Sequence, residues 1–144
     1  MGLNIFLEKV NIKVEDLSEL NDIKAYRRYK EIPNLKEATT SDEIEWFEEL
    51  KERYDSRNVE IEIIEIWRKR FALEKKVKEF AKQKDNSEKE INESSYTSVI
   101  IRKEDIDGLV EILNRNNSGI ISILKDLKEN FDFKNNTLLY YSYF

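Results

Sequence analysis

The chain has 144 residues, 40% apolar and 38% charged, with one Pro, three Gly and a net charge of −5. That length suits one domain with its own core, and the scarcity of Pro and Gly favours long regular elements over a flexible tail. Neither Cys nor His occurs, which excludes disulfides, thiolate or imidazole zinc sites, and any nucleophile activated by an imidazole base.

The first strand is expected at residues 3–9, in "LNIFLEKVNI". "EDLSELNDIKAYRRYKEI" reads as a helix that ends before Pro33, because Pro disfavours helical geometry in the residue before it. "TTSDEIEWFEELKERY" opens as a capping box. Thr40 and Glu43 satisfy each other's free backbone N–H groups, and Ile44, Phe47, Leu50 and Tyr54 then share one face.

Residues 58–84 form the longest helical candidate. Ile63, Trp67 and Phe71 step by four, and Glu65 with Lys69 and Glu74 with Lys78 make opposite-charge pairs at the same spacing. "VEIEII" at its start also alternates, so a strand is the competing reading. Residues 84–94 lose periodicity and read as a flexible loop.

"SYTSVIIR" (95–102) is rich in β-branched residues and is expected as a strand. "KEDIDGLVEILNR" places Ile106, Leu109, Val110 and Leu113 on one helical face, with Gly108 costing about 1 kcal/mol against Ala. Asn116-Asn117-Ser118 caps a further helix carrying Ile120, Ile121, Leu124 and Leu127. "NTLLYYSYF" closes the chain as a strand. Strands at the start, middle and end need one another's backbone groups, so the expected fold is α+β: a small sheet covered by about five helices. Residues 1–144 are taken as a single domain in which 10–57 read as a helical insertion.

Two constellations carry chemistry. Glu45, Glu48, Glu49 and Glu52 lie at helical neighbour spacings, which gives either a solvated face or a negative patch that imitates phosphates. "AYRRYK" interleaves Tyr26 and Tyr29 with Arg27 and Arg28. Rings beside guanidinium groups can stack bases and hold phosphates, and the same cations suit the C-terminal dipole of a helix. No Ca²⁺ loop, phosphate loop or nucleophile elbow is present, so no metal, cofactor or catalytic residue is assigned. No apolar run approaches the ~20 residues of a membrane span, and Glu8 and Lys9 come too early for a secretory signal, so a cytoplasmic protein is expected.

Four segments, "MGLNIFL", "IWRKRFALEKKVKEF", "VIIRKEDIDGLVEIL" and "TLLYYSYF", occur in an order that resembles a family of small bacteriophage proteins. Those proteins begin MGLD-x-Y-L, carry a Y-W-R-K-A-N-x-I-H-x-W-F segment followed by V-S-x-E-D-L-x-x-L, and end in a Tyr-rich strand. Trp67, Arg68 and Lys69 match that segment. Phe71 stands where the family has Asn, Glu74 where it has His, and Arg102 where it has a capping Ser. The resemblance implies a phage or prophage accessory protein, and the loss of Asn and His argues against inherited catalysis at this segment. Trp67 is expected in the core, with the stems of Arg68 and Lys69 covering apolar surface.

The expected function is therefore binding of a host protein, most specifically inhibition of a defence effector such as a CRISPR–Cas nuclease. Glu45, Glu48, Glu49, Glu52, Tyr26, Arg27, Arg28 and Tyr29 are the candidate contact residues. A net negative charge disfavours direct nucleic-acid binding and suits competition for a basic groove. Two alternatives stay open: an enzyme or ligand binder using Mg²⁺ or Ca²⁺ held by oxygen ligands, and a nucleic-acid-binding phage protein.

Overall fold

In a computed structural model, which describes residues 2–113 and 117–144, the two ends of the chain lie side by side. β1 (Asn4–Val10) pairs antiparallel with β5 (Thr137–Tyr143) from Asn4 opposite Tyr143 to Val10 opposite Thr137. β2 (Ile61–Arg68) joins on the far side of β1, while β4 (Tyr96–Ile101) and then β3 (Lys89–Asn92) join beside β5. The result is a five-stranded antiparallel sheet in the order β2-β1-β5-β4-β3. The α+β expectation holds.

Six α-helices occur among the described residues. α1 (Leu17–Lys30), α2 (Leu35–Ala38) and α3 (Ser41–Tyr54) lie between β1 and β2. α4 (Phe71–Ala81), α5 (Ile106–Ile112) and α6 (Ser118–Asn130) follow. Contacts divide the chain into two compact units, one formed by Ser18–Glu60 and the other by the residues up to Leu17 together with Ile61–Phe144.

In the sheet-bearing unit, alternation along the strands fixes the core. Ile5, Leu7, Val99, Ile101, Leu138 and Tyr140 point to one face and are buried with Leu73, Val77 and Phe80 of α4, Ile106 and Leu109 of α5, and Ile120, Leu124 and Leu127 of α6. The opposite face changes character along its length. Val10, Ile100 and Leu139 are fully buried on it, whereas Ile63, Ile66 and Tyr143 are exposed. Phe6 stacks there on Tyr141 and Tyr143, at centroid distances of 6.5 and 5.7 Å.

Two expectations need correction. The long helix over 58–84 does not form: Ile61–Arg68 is a strand, and the helix begins only at Phe71. β-branched Ile61, Ile63, Ile64 and Ile66 fit a pleated strand, and β1 needs a second neighbour for its outward backbone groups. The four-residue step from Ile63 to Trp67 was a coincidence, so Glu65 and Lys69 are not helical neighbours. Glu74 and Lys78 are, at 3.9 Å. The loop expected at 84–94 contains β3, whose Lys89–Asn92 pairs with Tyr96–Val99. Asn117 is the N-cap residue of α6, as expected, although its side chain makes no capping hydrogen bond there; Asn116 lies outside the described residues.

Other readings hold. Thr40 caps α3 by accepting the Glu43 N–H at 3.3 Å, although the Glu43 carboxylate accepts the Thr40 hydroxyl at 3.5 Å and not its backbone N–H, so one half of the capping box forms; α1 ends ahead of Pro33 with Arg27, Arg28 and Lys30 in its last turn.

The strand-to-helix corner carries a local cost. Lys69 adopts φ 57°, a left-handed conformation that crowds any Cβ, and its N–H is held by the Leu3 carbonyl at 2.8 Å. Such a position favours Gly. Lys69→Gly should therefore stabilise the chain by about 0.5–1 kcal/mol, after allowance for the greater entropy of Gly when unfolded. Urea unfolding would show a raised midpoint with an unchanged slope; a lowered midpoint would contradict the geometry.

Candidate functional site

The acidic candidates are set by the way α3 is anchored. Phe47, Leu50 and Tyr54 are buried, and that fixes the helix's rotation. Glu45, Glu48, Glu49 and Glu52 then face outward and are exposed. With Asp55 and Lys51 they line one shallow, open depression. Among the described residues no salt bridge neutralises these four glutamates, so the depression gathers five carboxylates beside one ammonium group. Among the described residues, however, no group of three or more acidic side chains converges closely enough to hold a metal ion. The depression presents negative potential over a surface.

The "AYRRYK" residues lie on α1 in the same unit, but the structure splits their roles. Tyr26 and Tyr29 are only 2% and 5% exposed. Tyr26 packs against Phe47 and Tyr54, and Tyr29 against Trp46 and Phe47, with centroids 5.7–6.2 Å apart. Their faces are spent on the core between α1 and α3, which corrects the expectation that they could stack against a partner or a base. The Tyr26 hydroxyl donates to Asp55 Oδ1 at 2.6 Å. Burial, then that bond and the Asp55 charge, push its pKa up to about 12. Arg28 is exposed and lies 4.9 Å over the Tyr29 ring, and Arg27 is half-buried beside Lys30 and Glu31. The cations stay at the surface and the rings beneath them act as anchors.

Two polar clusters in the sheet-bearing unit were not singled out from sequence. Glu74, in the first turn of α4, is 3% exposed. Its carboxylate accepts the Tyr140 hydroxyl at 2.6 Å, the Ser142 hydroxyl at 2.6 and 2.9 Å, and the Thr97 hydroxyl at 3.3 Å. Lys78 stands 3.9 Å away. Burial, then the neighbouring Glu74 charge, push the Tyr140 phenol far above its ordinary range. The available signal was strand alternation: Tyr140 and Ser142 are two apart, so two hydroxyls face the core side and call for an acceptor there. Glu74, Thr97, Tyr140 and Ser142 are all buried, so the cluster serves to pin α4 to the sheet.

The second cluster surrounds Arg102. Its guanidinium donates to Glu88 at 2.8 Å and to the carbonyls of Val14 and Glu15 at 3.0 and 2.9 Å. Lys84 joins by bonding the Ile100 carbonyl, Asp105 and Glu88. Burial alone would raise the Glu88 carboxyl, but the Arg102 bond and the Lys84 charge outweigh it and hold it below its ordinary value. An Asp105 oxygen accepts the Arg102 N–H at 2.8 Å, so the turn into α5 is capped without a Ser.

Trp67 is partly buried against the main core, as its place in the segment suggests, while Arg68 and Lys69 remain exposed. A cavity of about 20 Å³ lies beside it, enclosed by Leu7, Leu73, Val77 and Ile120 among others, and is too small for a metabolite. No helix among the described residues is long and apolar enough to cross a membrane. Compared with known proteins, the chain matches no family model, no curated protein and no solved structure.

The Glu74 cluster gives a direct test of what pins α4. Glu74→Ala would leave three buried hydroxyls without their acceptor and should cost about 3 kcal/mol or more. Glu74→Gln keeps one acceptor oxygen and should cost less. Urea unfolding distinguishes them, and an Ala variant as stable as the parent would remove the carboxylate from this structural role.

Proposed function

We propose that this chain is a phage or prophage accessory protein that acts in the host cytoplasm by binding a host protein, most specifically by blocking a nucleic-acid groove of a defence effector such as a CRISPR–Cas nuclease. The observation that supports this reading is the outer face of α3. Glu45, Glu48, Glu49 and Glu52 sit on it exposed and, among the described residues, without salt-bridge partners, beside Asp55. Unneutralised carboxylates at helical spacing project a negative potential that a basic, phosphate-binding groove attracts, and the attraction raises the association rate more than it improves the fit.

The arrangement suits binding better than chemistry. The carboxylates sit on a rigid helix, clamped from below by Phe47, Leu50 and Tyr54, so they meet a partner without first being ordered. Arg28, exposed on α1 of the same unit, adds a cation that can contact a carboxylate of the partner.

Affinity capture tests the reading. The tagged chain should retain a host protein from lysate at low and moderate salt. The Glu48→Lys/Glu52→Lys variant should retain about tenfold less or below, because each substitution replaces attraction by repulsion. Recovery of no stable partner, or equal recovery by the variant, would contradict the proposal. Circular dichroism confirms that the variant, altered only on an exposed face, keeps its fold.

A further inference from the structure

We propose that a second copy of this chain docks antiparallel along the outer edge of β2, joining two five-stranded sheets into one. β2 pairs with β1 on one side only. An edge strand offers a row of backbone donors and acceptors to any strand that fits, and proteins commonly blunt such edges with Pro or Lys. Ile61–Arg68 contains neither, and its protections are the charges of Glu62, Glu65 and Arg68 and a bulge. Its side chains Ile63 and Ile66 are instead 50% and 42% exposed.

The backbone specifies which strand fits. The Lys69 N–H bonds the Leu3 carbonyl, so the alternation of an antiparallel ladder turns Trp67 and Glu65 towards β1 and leaves Arg68 and Ile66 facing outward. The register shifts between Leu7 and Glu8, where Ile64 is the extra residue of a bulge. Beyond it the same alternation turns Glu62 inward and Ile61 and Ile63 outward. The outward set is therefore Ile61, Ile63, Ile66 and Arg68, with a one-residue interruption at its centre.

A two-fold axis between Ile64 and Glu65 reproduces that pattern on both strands. Ile63 of one copy meets Ile66 of the other, Ile61 meets Arg68, and each pair occurs twice, as an isologous contact requires. Every pair joins residues whose backbone groups point outward on both sides and whose side chains share a face. An ordinary strand would lose register at the bulge, but a second copy carries the same bulge at the same place. The feature that would repel an unrelated strand thus selects this one.

Sedimentation equilibrium of the full chain from low micromolar to near-millimolar concentration should show a monomer–dimer equilibrium. Ile63→Lys places a charge on the edge, at a position already half-exposed, and should weaken association by about tenfold or more while leaving circular dichroism unchanged. Because the chain has no Cys, the Ile63→Cys/Ile66→Cys variant reads the register directly. Facing residues in a hydrogen-bonded pair lie about 5.5 Å apart between Cα atoms, within disulfide reach, so oxidation should yield a covalent dimer. A monomer at every concentration would overturn the proposal, including a monomer that takes up an unrelated extended peptide instead. So would an Ile63→Lys variant that dimerises like the parent, or a double-Cys variant that stays monomeric after oxidation.

Discussion

The antiparallel pairing of β1 with β5 is the constraint on which the rest of the structure depends. Seven consecutive residues near the start of the chain are matched to seven near its end. Both strands are central, so each needs a further neighbour: β2 satisfies β1 and β4 satisfies β5. The core face follows from the same register, because it sets Ile5 beside Ser142 and Leu7 beside Tyr140. The cost of closing so long a loop grows only logarithmically with its length, so a long excursion between β1 and β2 adds little. That excursion holds the compact unit Ser18–Glu60, which packs its own aromatic core of Tyr26, Tyr29, Phe47 and Tyr54.

Enclosed and surface charges do different work in this molecule. Glu74, Glu88, Lys84 and Arg102 spend their charge on fixed internal partners and hold α4 and the segment after β1 in place. Glu45, Glu48, Glu49 and Glu52 on α3 form no salt bridge among the described residues and face outward. The chain contains no imidazole or thiol, so any chemistry at these faces falls to carboxylate, amine, guanidinium and hydroxyl groups. The proposed roles of α3 and of the β2 edge use separate surfaces, and either can stand without the other.

Much of this architecture was legible because several local signals agreed. The terminal strands showed alternation, β4 showed β-branched residues, and α3 showed a cap followed by one apolar face, so pattern and propensity coincided. β2 was ambiguous because Ile63, Trp67 and Phe71 satisfy a helical step while "VEIEII" satisfies a strand. The choice is made by β1's need for a partner, which no local window contains. β3 has one apolar residue in four and exists only by pairing with β4, so it left no periodic trace. At the candidate site, the glutamates of α3 were placed outward once its buried face was known. The burial of Tyr26 and Tyr29 was not legible, because alternating rings and cations look alike whether the rings anchor a helix or meet a partner. The Glu74 cluster depends on Thr97, Tyr140 and Ser142 meeting across the sheet, a long-range fact.

Native-state hydrogen exchange tests the central pairing most directly. If the joined ends organise the fold, the amides of β1 and β5 that bond each other should be among the slowest in the chain and should open only with global unfolding, while β3 at the sheet edge opens far more readily. Exchange from β5 as fast as that from β3 would contradict the claim that the pairing of the two ends holds the structure together.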